Sequence, residues 1–341
     1  MIKKFIIFIL CNIFIFSNLL AKEKKFSPID KGMIALMYHR FDETKYPSTN
    51  INMKDFKEQI NIIMKKNYNF FNPNNFDFYE PRTNKKFLIT IDDAFSSFYE
   101  NAWPYLKKDK IPFILFVSTQ SVGKNGYMTW EQIREVENSS FGFIGNHSHS
   151  HEYLVNFSFD EFKNDIDISI NIFKEKLGYN PIFFSYPFGE YSLEQKKYIT
   201  KKFKYGFGQN SGVIDSNKDI FELPRFPINE KYGDLERFNF LVDLLPLQYK
   251  SLLPNDKFIV GLEDNPPIVK IEFFKEQQNI KNINCYSNNG SDWSKTKTIY
   301  NQNSLRLIFN EKFNFRRGRI NCSLKDSEGW RWLGIQFTFK N

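Results

Sequence analysis

Histidine is scarce in this chain, with four among 341 residues and none after His151. Any imidazole chemistry therefore falls to His39, His147, His149 and His151. Cysteine is scarcer still: Cys11 lies in an N-terminal apolar run, and only Cys285 and Cys322 remain beyond it. No internal repeat is present, which excludes a stacked-repeat architecture. The lysines are scattered and no helix is basic. Despite a formal charge of +8, nucleic acid is therefore not the expected partner. A basic surface suits an anionic cell envelope instead. Nothing in the sequence specifies an oligomeric state.

Met1 to Ala21 has the order of an export signal. Lys3 and Lys4 precede the apolar Phe5–Phe16 run, and Ser17 to Ala21 lead to a cleavage point before Lys22. Export to the periplasm, the cell envelope or the exterior is expected, with an uncleaved membrane anchor as the lesser alternative, since Leu19 is large for its place before the cut. In an exported protein the Cys285 and Cys322 pair suggests a disulfide; two buried thiols are the other reading.

Three of the four histidines stand within five residues, in Gly145-Asn146-His147-Ser148-His149-Ser150-His151. They follow the apolar Phe141–Ile144 run, as polar side chains do at the carboxyl end of a buried strand. Neutral imidazole is the commonest protein ligand for a transition metal. Two imidazoles still need a carboxylate and an open position before a metal site can hydrolyse anything. Phe87 to Ile91 reads as a second buried strand, and Asp92-Asp93 follow at its carboxyl end. Adjacent carboxylates repel and are costly to desolvate, so such a pair calls for a cation or hydrogen-bond donors.

Further strands are expected at Gly32–Tyr38, Phe113–Val117 and Ile182–Ser185. Helical stripes lie between them: Phe56, Ile60 and Met64, then Phe98 to Lys107, Glu131 to Glu137, and Ile166, Ile170, Phe173 and Leu177 after a capping box at Ser158. Alternating strands and helices predict an α/β fold around a parallel sheet, open or closed into a barrel. From about Pro254 the helical stripes stop. Lys257–Leu262, Ile268–Phe274, Ile283–Ser287, Ser304–Phe309, Arg319–Leu324 and Trp332–Phe339 read as short strands, with turns at Asn289-Gly290 and Gly318. They predict a small antiparallel β-sandwich. Its Trp293, Trp330 and Trp332 either stack on sugar rings or fill its core.

Thr90-Ile91-Asp92-Asp93-Ala94 resembles the Thr-Phe-Asp-Asp-Gly motif of the polysaccharide deacetylases, carbohydrate esterase family 4. His147-Ser148-His149-Ser150-His151 resembles that family's His-Ser/Thr-x-x-His motif, and Ser185-Tyr186-Pro187-Phe188-Gly189 its third motif. The Tyr127–Ile133 stretch resembles its Trp-containing loop. The motifs run in order between about Ile34 and Asn229. The Tyr-Pro-Phe-Gly version is similar to the branch acting on poly-β-1,6-N-acetylglucosamine. The resemblance implies a distorted (β/α) barrel, set over 22–253; the leader over residues 1–21 and the all-β sandwich of unassigned role over 254–341 rest on the sequence pattern alone.

It also implies roles. Asp93, His147 and His151 would hold a divalent metal, best Zn²⁺, with Co²⁺, Ni²⁺ or Fe²⁺ as substitutes. Asp92 would be the general base. The Phe188 amide would face the oxyanion, with Tyr186 and Pro187 beside it at the substrate, and His149 would stand behind the ligands or at the substrate rim. The motif's usual arginine is missing, and Arg225, in Leu223-Pro224-Arg225-Phe226-Pro227, is the candidate to orient Asp92. The family's late Leu-x-His is missing too. In the branch named above, the acid histidine belongs to a first-strand Tyr-His pair, which Tyr38-His39 matches. The expected partner is an N-acetylated polysaccharide. Two alternatives remain: a catalytically silent glycan-binding protein, and an amidohydrolase removing another acyl group on the same scaffold.

Overall fold

The computed structural model describes residues 23–75, 78–290, 292–314 and 316–340. The expected leader, Cys11 included, lies outside the described residues. Strands and helices alternate as the periodicity predicts: β1 (Met33–Tyr38), α1 (Met53–Lys65), β2 (Lys86–Asp92), α2 (Trp103–Asp109), β3 (Phe113–Val117), α3 (Trp130–Glu137), β4 (Gly142–Asn146), α4 (Phe159–Leu177), β5 (Phe183–Ser185), α5 (Leu193–Lys202), β6 (Tyr205–Phe207), β7 (Phe226–Pro227) and α6 (Leu235–Val242). A π-turn over Phe98–Ala102 precedes α2, so the helix expected from Phe98 begins irregularly. The Ser158 capping box forms with Glu161, and Gly178 ends α4 in the left-handed conformation (φ 85°).

These seven strands, with the short Asn69–Phe70 pairing beside β2, form one eight-stranded parallel sheet whose main path runs β7-β1-β2-β3-β4-β5-β6. The chain just ahead of β7 brings its two edges together. Leu223 bridges Phe207 of β6, and Phe226 pairs with Leu36 of β1. Arg225 sits between those two contacts, at the closure of the distorted barrel. Alternation along the strands separates two apolar layers. Ile34, Leu36, Phe87, Ile89, Phe113 and Leu115 pack outward under the helices. Met33, Ala35, Leu88, Ile114 and Phe116 point into the barrel. By the same alternation Thr90 and Asp92, two and four residues after Leu88, also point inward.

A second, nine-stranded sheet follows. Its strands are β8 (Leu245–Pro246), β9 (Ser251–Leu253), β10 (Phe258–Ile259), β11 (Lys270–Glu272), β12 (Asn284–Asn288), β13 (Trp293–Asn301), β14 (Ser304–Ile308), β15 (Arg317–Lys325) and β16 (Trp330–Phe339). Strand pairing thus starts ahead of residue 254, with β8 on β16 and β9 on β11. Strand β13 pairs with β12 through its first half and with β14 through its second, carrying the sheet around a corner. The folded sheet encloses Ile271, Leu305, Ile320, Leu324, Phe337 and their neighbours.

Three local expectations change. The sequence reading leaves Trp293–Asn301 without a strand because Ser, Lys and Thr dominate it; pairing on both sides makes it one. Gly318 lies within β15 rather than at a turn, since a side chain there would meet the Phe313 ring at 2.4 Å. The Lys257–Leu262 strand shrinks to two residues.

Cys285 and Cys322 oppose each other across β12 and β15 and form a disulfide, with Cα atoms 4.1 Å apart. The link closes a 37-residue separation. Replacing both with Ala should lower unfolding free energy by about 2–4 kcal/mol, the usual worth of such a loop constraint. Urea titration of both proteins measures this, and equal stabilities would show that the bond constrains nothing.

Candidate active site

The histidine loop is wound by its own side chains. Asn146, the last residue of β4, accepts the Ser148 amide on its Oδ1 (2.8 Å), and Ser148 Oγ accepts the His151 amide (3.0 Å). The buried Asp165 carboxylate of α4 accepts the amides of His149 (2.9 Å) and Ser150 (3.0 Å). Charge-assisted bonds of this kind are about twice as strong as neutral ones. They hold Ser148 and His151 at positive φ (70° and 54°), a conformation that non-glycine residues avoid. Asp93 (73°), Ala94 (55°) and Phe188 (59°) share it, so five of the eleven such residues described cluster here. Ala94 thus holds the backbone shape for which the related motif uses glycine.

The winding sends His147 and His151 to one side. His147 donates Nδ1–H to the Ser185 carbonyl (2.7 Å), which leaves its Nε2 lone pair facing inward. Burial pushes its pKa down to about 4, the His151 charge adds to that, and the Asp92 and Asp93 carboxylates oppose it. His147 is therefore neutral at physiological pH. Its Nε2 lies 3.2 Å from His151 Nε2 and 3.6 Å from Asp93 Oδ1, and His151 Nε2 lies 3.2 Å from the same oxygen. A tetrahedral zinc site with ligands at 2.0–2.1 Å has edges of about 3.3–3.4 Å. The three ligand atoms stand close to that spacing, so Asp93, His147 and His151 fit a divalent metal.

Asp92 points into the barrel and is fully buried, as is Arg225. The guanidinium donates Nη1–H and Nη2–H to the two Asp92 oxygens (2.6 and 2.8 Å), Nη1–H to Thr90 Oγ1 (3.1 Å), Nη2–H to Ser185 Oγ (2.8 Å) and Nε–H to the Gly208 carbonyl (2.9 Å). All five donors of an arginine are used. Burial by itself would raise the Asp92 pKa. The Arg225 charge, then His147, and then the Arg225 hydrogen bonds overcome it and hold it at about 2.

A cavity of roughly 450 Å³ opens above the cluster. His39, Asp93, His151 and Phe188 all line it. The β1–β2 register pairs Tyr38 with Ile91, which brings His39 alongside the Asp92 end of β2. Phe188 is fixed by rings and by a long-range contact: it stacks on Tyr153 (4.2 Å), and its carbonyl accepts Gln336 Nε2 of β16 (3.1 Å).

Two residues expected at the substrate are not brought there, and of the two places open to His149 the cavity rim is not the one it takes. Tyr186 is 1% exposed and packs between Phe184 and Tyr191 in the core. Pro187 is buried as it opens the single helical turn that swings Phe188 outward. His149 is turned aside by the loop's alternation, and its Nδ1 bonds Thr119 Oγ1 (2.9 Å). The sequence reading misses Ser185, Asp165 and Gln336. Asp165, a carboxylate beside Ile166 on the buried face of α4, carries a legible signal; Gln336 carries none.

Residues 79–207 match the polysaccharide deacetylase family profile. That segment holds Asp92, Asp93, His147, His151 and Phe188, whereas His39 and Arg225 lie outside it. A poly-beta-1,6-N-acetyl-D-glucosamine N-deacetylase of Staphylococcus aureus is 22% identical over 238 residues, 61% of this chain and 82% of that one. Among solved structures, IcaB from Ammonifex degensii superposes with a TM-score of 0.57 at 24% identity, covering 62% of this chain and 97% of that one. The Streptococcus pyogenes deacetylase PplD, in complex with acetate, gives 0.53 at 24% identity, with 59% and 94% covered. These likenesses show the shared barrel fold. More than a third of this chain has no counterpart in either structure.

Removing one partner of a buried ion pair costs about 3–5 kcal/mol. Arg225→Met should lose that much in urea unfolding of metal-stripped protein. The acid limb should change as well. With a folded pKa near 2 and an unfolded one near 4, Asp92 contributes roughly 2–3 kcal/mol above pH 4, lost as pH falls from 4 through 2. That limb should vanish in Arg225→Met, and its persistence would assign it to other carboxylates.

Proposed function

We propose that this chain, whose residues 79–207 match the polysaccharide deacetylase profile, is an exported, metal-dependent N-deacetylase of an amino-sugar polysaccharide. One observation carries the reading: a carboxylate locked by Arg225 stands next to three converging candidate ligand atoms, two of whose residues, Asp93 and His151, line an open cavity. A protein that only binds glycan has no use for that pairing. Poly-β-1,6-N-acetylglucosamine is the first substrate to try, given what the S. aureus relative is named for.

A divalent cation held by Asp93, His147 and His151, zinc by preference, would acidify water and polarise the acyl oxygen. Asp92 stays ionised at neutral pH and accepts the proton of the attacking water. Arg225 fixes the direction of that carboxylate and uses none of its donors on substrate. Phe188, held at positive φ, offers its backbone N–H to the oxygen that gains charge. His39 gives a proton to the departing amine. Without that proton the intermediate would expel water again.

Export rests on the Lys3-Lys4 and Phe5–Phe16 pattern, and the Cys285–Cys322 disulfide supports an oxidising compartment. We place the mature protein in the periplasm or at the cell exterior, with an uncleaved anchor as the lesser alternative.

Purified protein should release acetate from N-acetylglucosamine oligomers. Chelation should abolish release and zinc should restore it, while His147→Ala should lose both metal and activity with the fold intact. Full activity after the metal has been stripped, checked by elemental analysis, would overturn the metal reading. His39→Ala should retain the metal and lower turnover by about a hundredfold or more. A His39→Ala enzyme of near-normal rate would move the acid role elsewhere.

A further inference from the structure

The second sheet is fastened to the cavity mouth. Gln336 Nε2 donates to the Phe188 and Gly189 carbonyls (3.1 and 3.2 Å). Arg316 grips Glu190 through Nε and Nη2 (2.9 and 2.6 Å). Ser211 Oγ donates to Asn321 Oδ1 (2.9 Å), and the Asn210 amide donates to the Gly334 carbonyl (3.1 Å). Gly334 permits this approach, since a Cβ there would fall 2.0 Å from the Ser211 carbonyl oxygen.

Residues paired directly across antiparallel strands share a face. The registers pair Gln336 with Arg319, Arg319 with Asn288, and Asn288 with Trp293. One row therefore runs from the carbonyls of the Phe188 turn, through Arg319, to an indole that is 42% exposed. Arg317 and Asn321, two residues either side of Arg319, share that face. Trp293, Arg317, Arg319 and Asn321 line the same cavity as His39 and His151, and Arg237 joins them from α6.

The charges on this wall are unbalanced. Glu190 serves both Arg316 and, at 3.5 Å, Arg317. Among the described residues no carboxylate pairs with Arg319. Its pKa is lowered by burial and then by the Arg317 charge, the mark of a cation short of a partner. Arg237 donates to the Tyr232 carbonyl rather than to a carboxylate. Such a wall repels an ammonium group, which is what N-deacetylation leaves on a sugar. It attracts an anion, which guanidinium forks bind bidentately.

We propose that Arg317, Arg319 and Trp293 form a subsite for a sugar bearing a carboxylate or phosphate, next to the residue being deacetylated. The substrate is then an acidic N-acetylated polysaccharide. Trp293 covers the apolar face of the ring and the arginines take its anion. This deepens the deacetylase reading and rests on it for the identity of the reacting residue.

The test compares three oligomers: neutral β-1,6-N-acetylglucosamine, an N-acetylglucosamine–glucuronate alternation, and N-acetylglucosamine linked through phosphodiesters. Binding is measured by calorimetry and turnover by acetate release, on the metal-loaded full protein. At least one acidic oligomer should bind tenfold or more tightly than the neutral one, and which of them does so identifies the anion. Added salt should erode the preference. Arg319→Gln should reduce it tenfold or more, and Arg319→Lys should restore part of it, which separates charge from folding. Equal binding of neutral and acidic oligomers, or a preference that survives Arg319→Gln, would overturn the subsite. Arginine-dependent acidic binding without acetate release from any oligomer would sink the deacetylase reading and leave the subsite standing.

Discussion

A buried arginine and a buried aspartate set the terms for the rest of the molecule. Neither can be taken out of water cheaply, and their attraction repays desolvation only if every remaining donor is also satisfied. Arg225 meets that condition with acceptors from three separate strands or loops: Thr90 and Asp92, Ser185, and the Gly208 carbonyl. The barrel can close only where those groups meet, so its closure and the aim of Asp92 are one event. Ser185 ties in the candidate metal ligands as well, because its carbonyl fixes the His147 tautomer while its hydroxyl serves Arg225. A shift of β5 would therefore disturb the carboxylate and the imidazole together.

The parts legible in the sequence are those whose information is local. A strand followed by Asp92-Asp93, and a strand followed by three histidines, place Asp93, His147 and His151 at one end of a parallel sheet. Arg225 was legible because a motif lacked its usual arginine and Leu-Pro-Arg-Phe-Pro offered one. Tyr186 and Pro187 were misplaced, and the side to which His149 turns was left open, because adjacency in a motif says nothing about which way a wound loop turns each side chain. Asp165, whose carboxylate does that turning, lies 16 residues beyond His149. Strand β13 was missed because its polar residues are organised by neighbours on both sides rather than by an apolar face of its own.

The second sheet looked from sequence like a separate unit whose tryptophans had two possible uses. The structure divides them. Trp332 is partly buried and donates to Ser211, whereas Trp293 faces the cavity. The sheet is thus a wall of the site, and its arginines give that wall a sign of charge that the barrel motifs do not encode.

The contact between Gln336 and Phe188 also has a bearing on timing. The two residues are 148 positions apart, so the turn proposed to face the oxyanion lacks its clamp until the last described strand has been made. A ribosome delivers the barrel motifs first and the clamp long afterwards. The nascent chain can bring Asp93, His147 and His151 together while the Phe188 turn is still unclamped. The framing of the Phe188 turn therefore waits for β16. Products of premature termination would keep the recognisable motifs but lack the clamp.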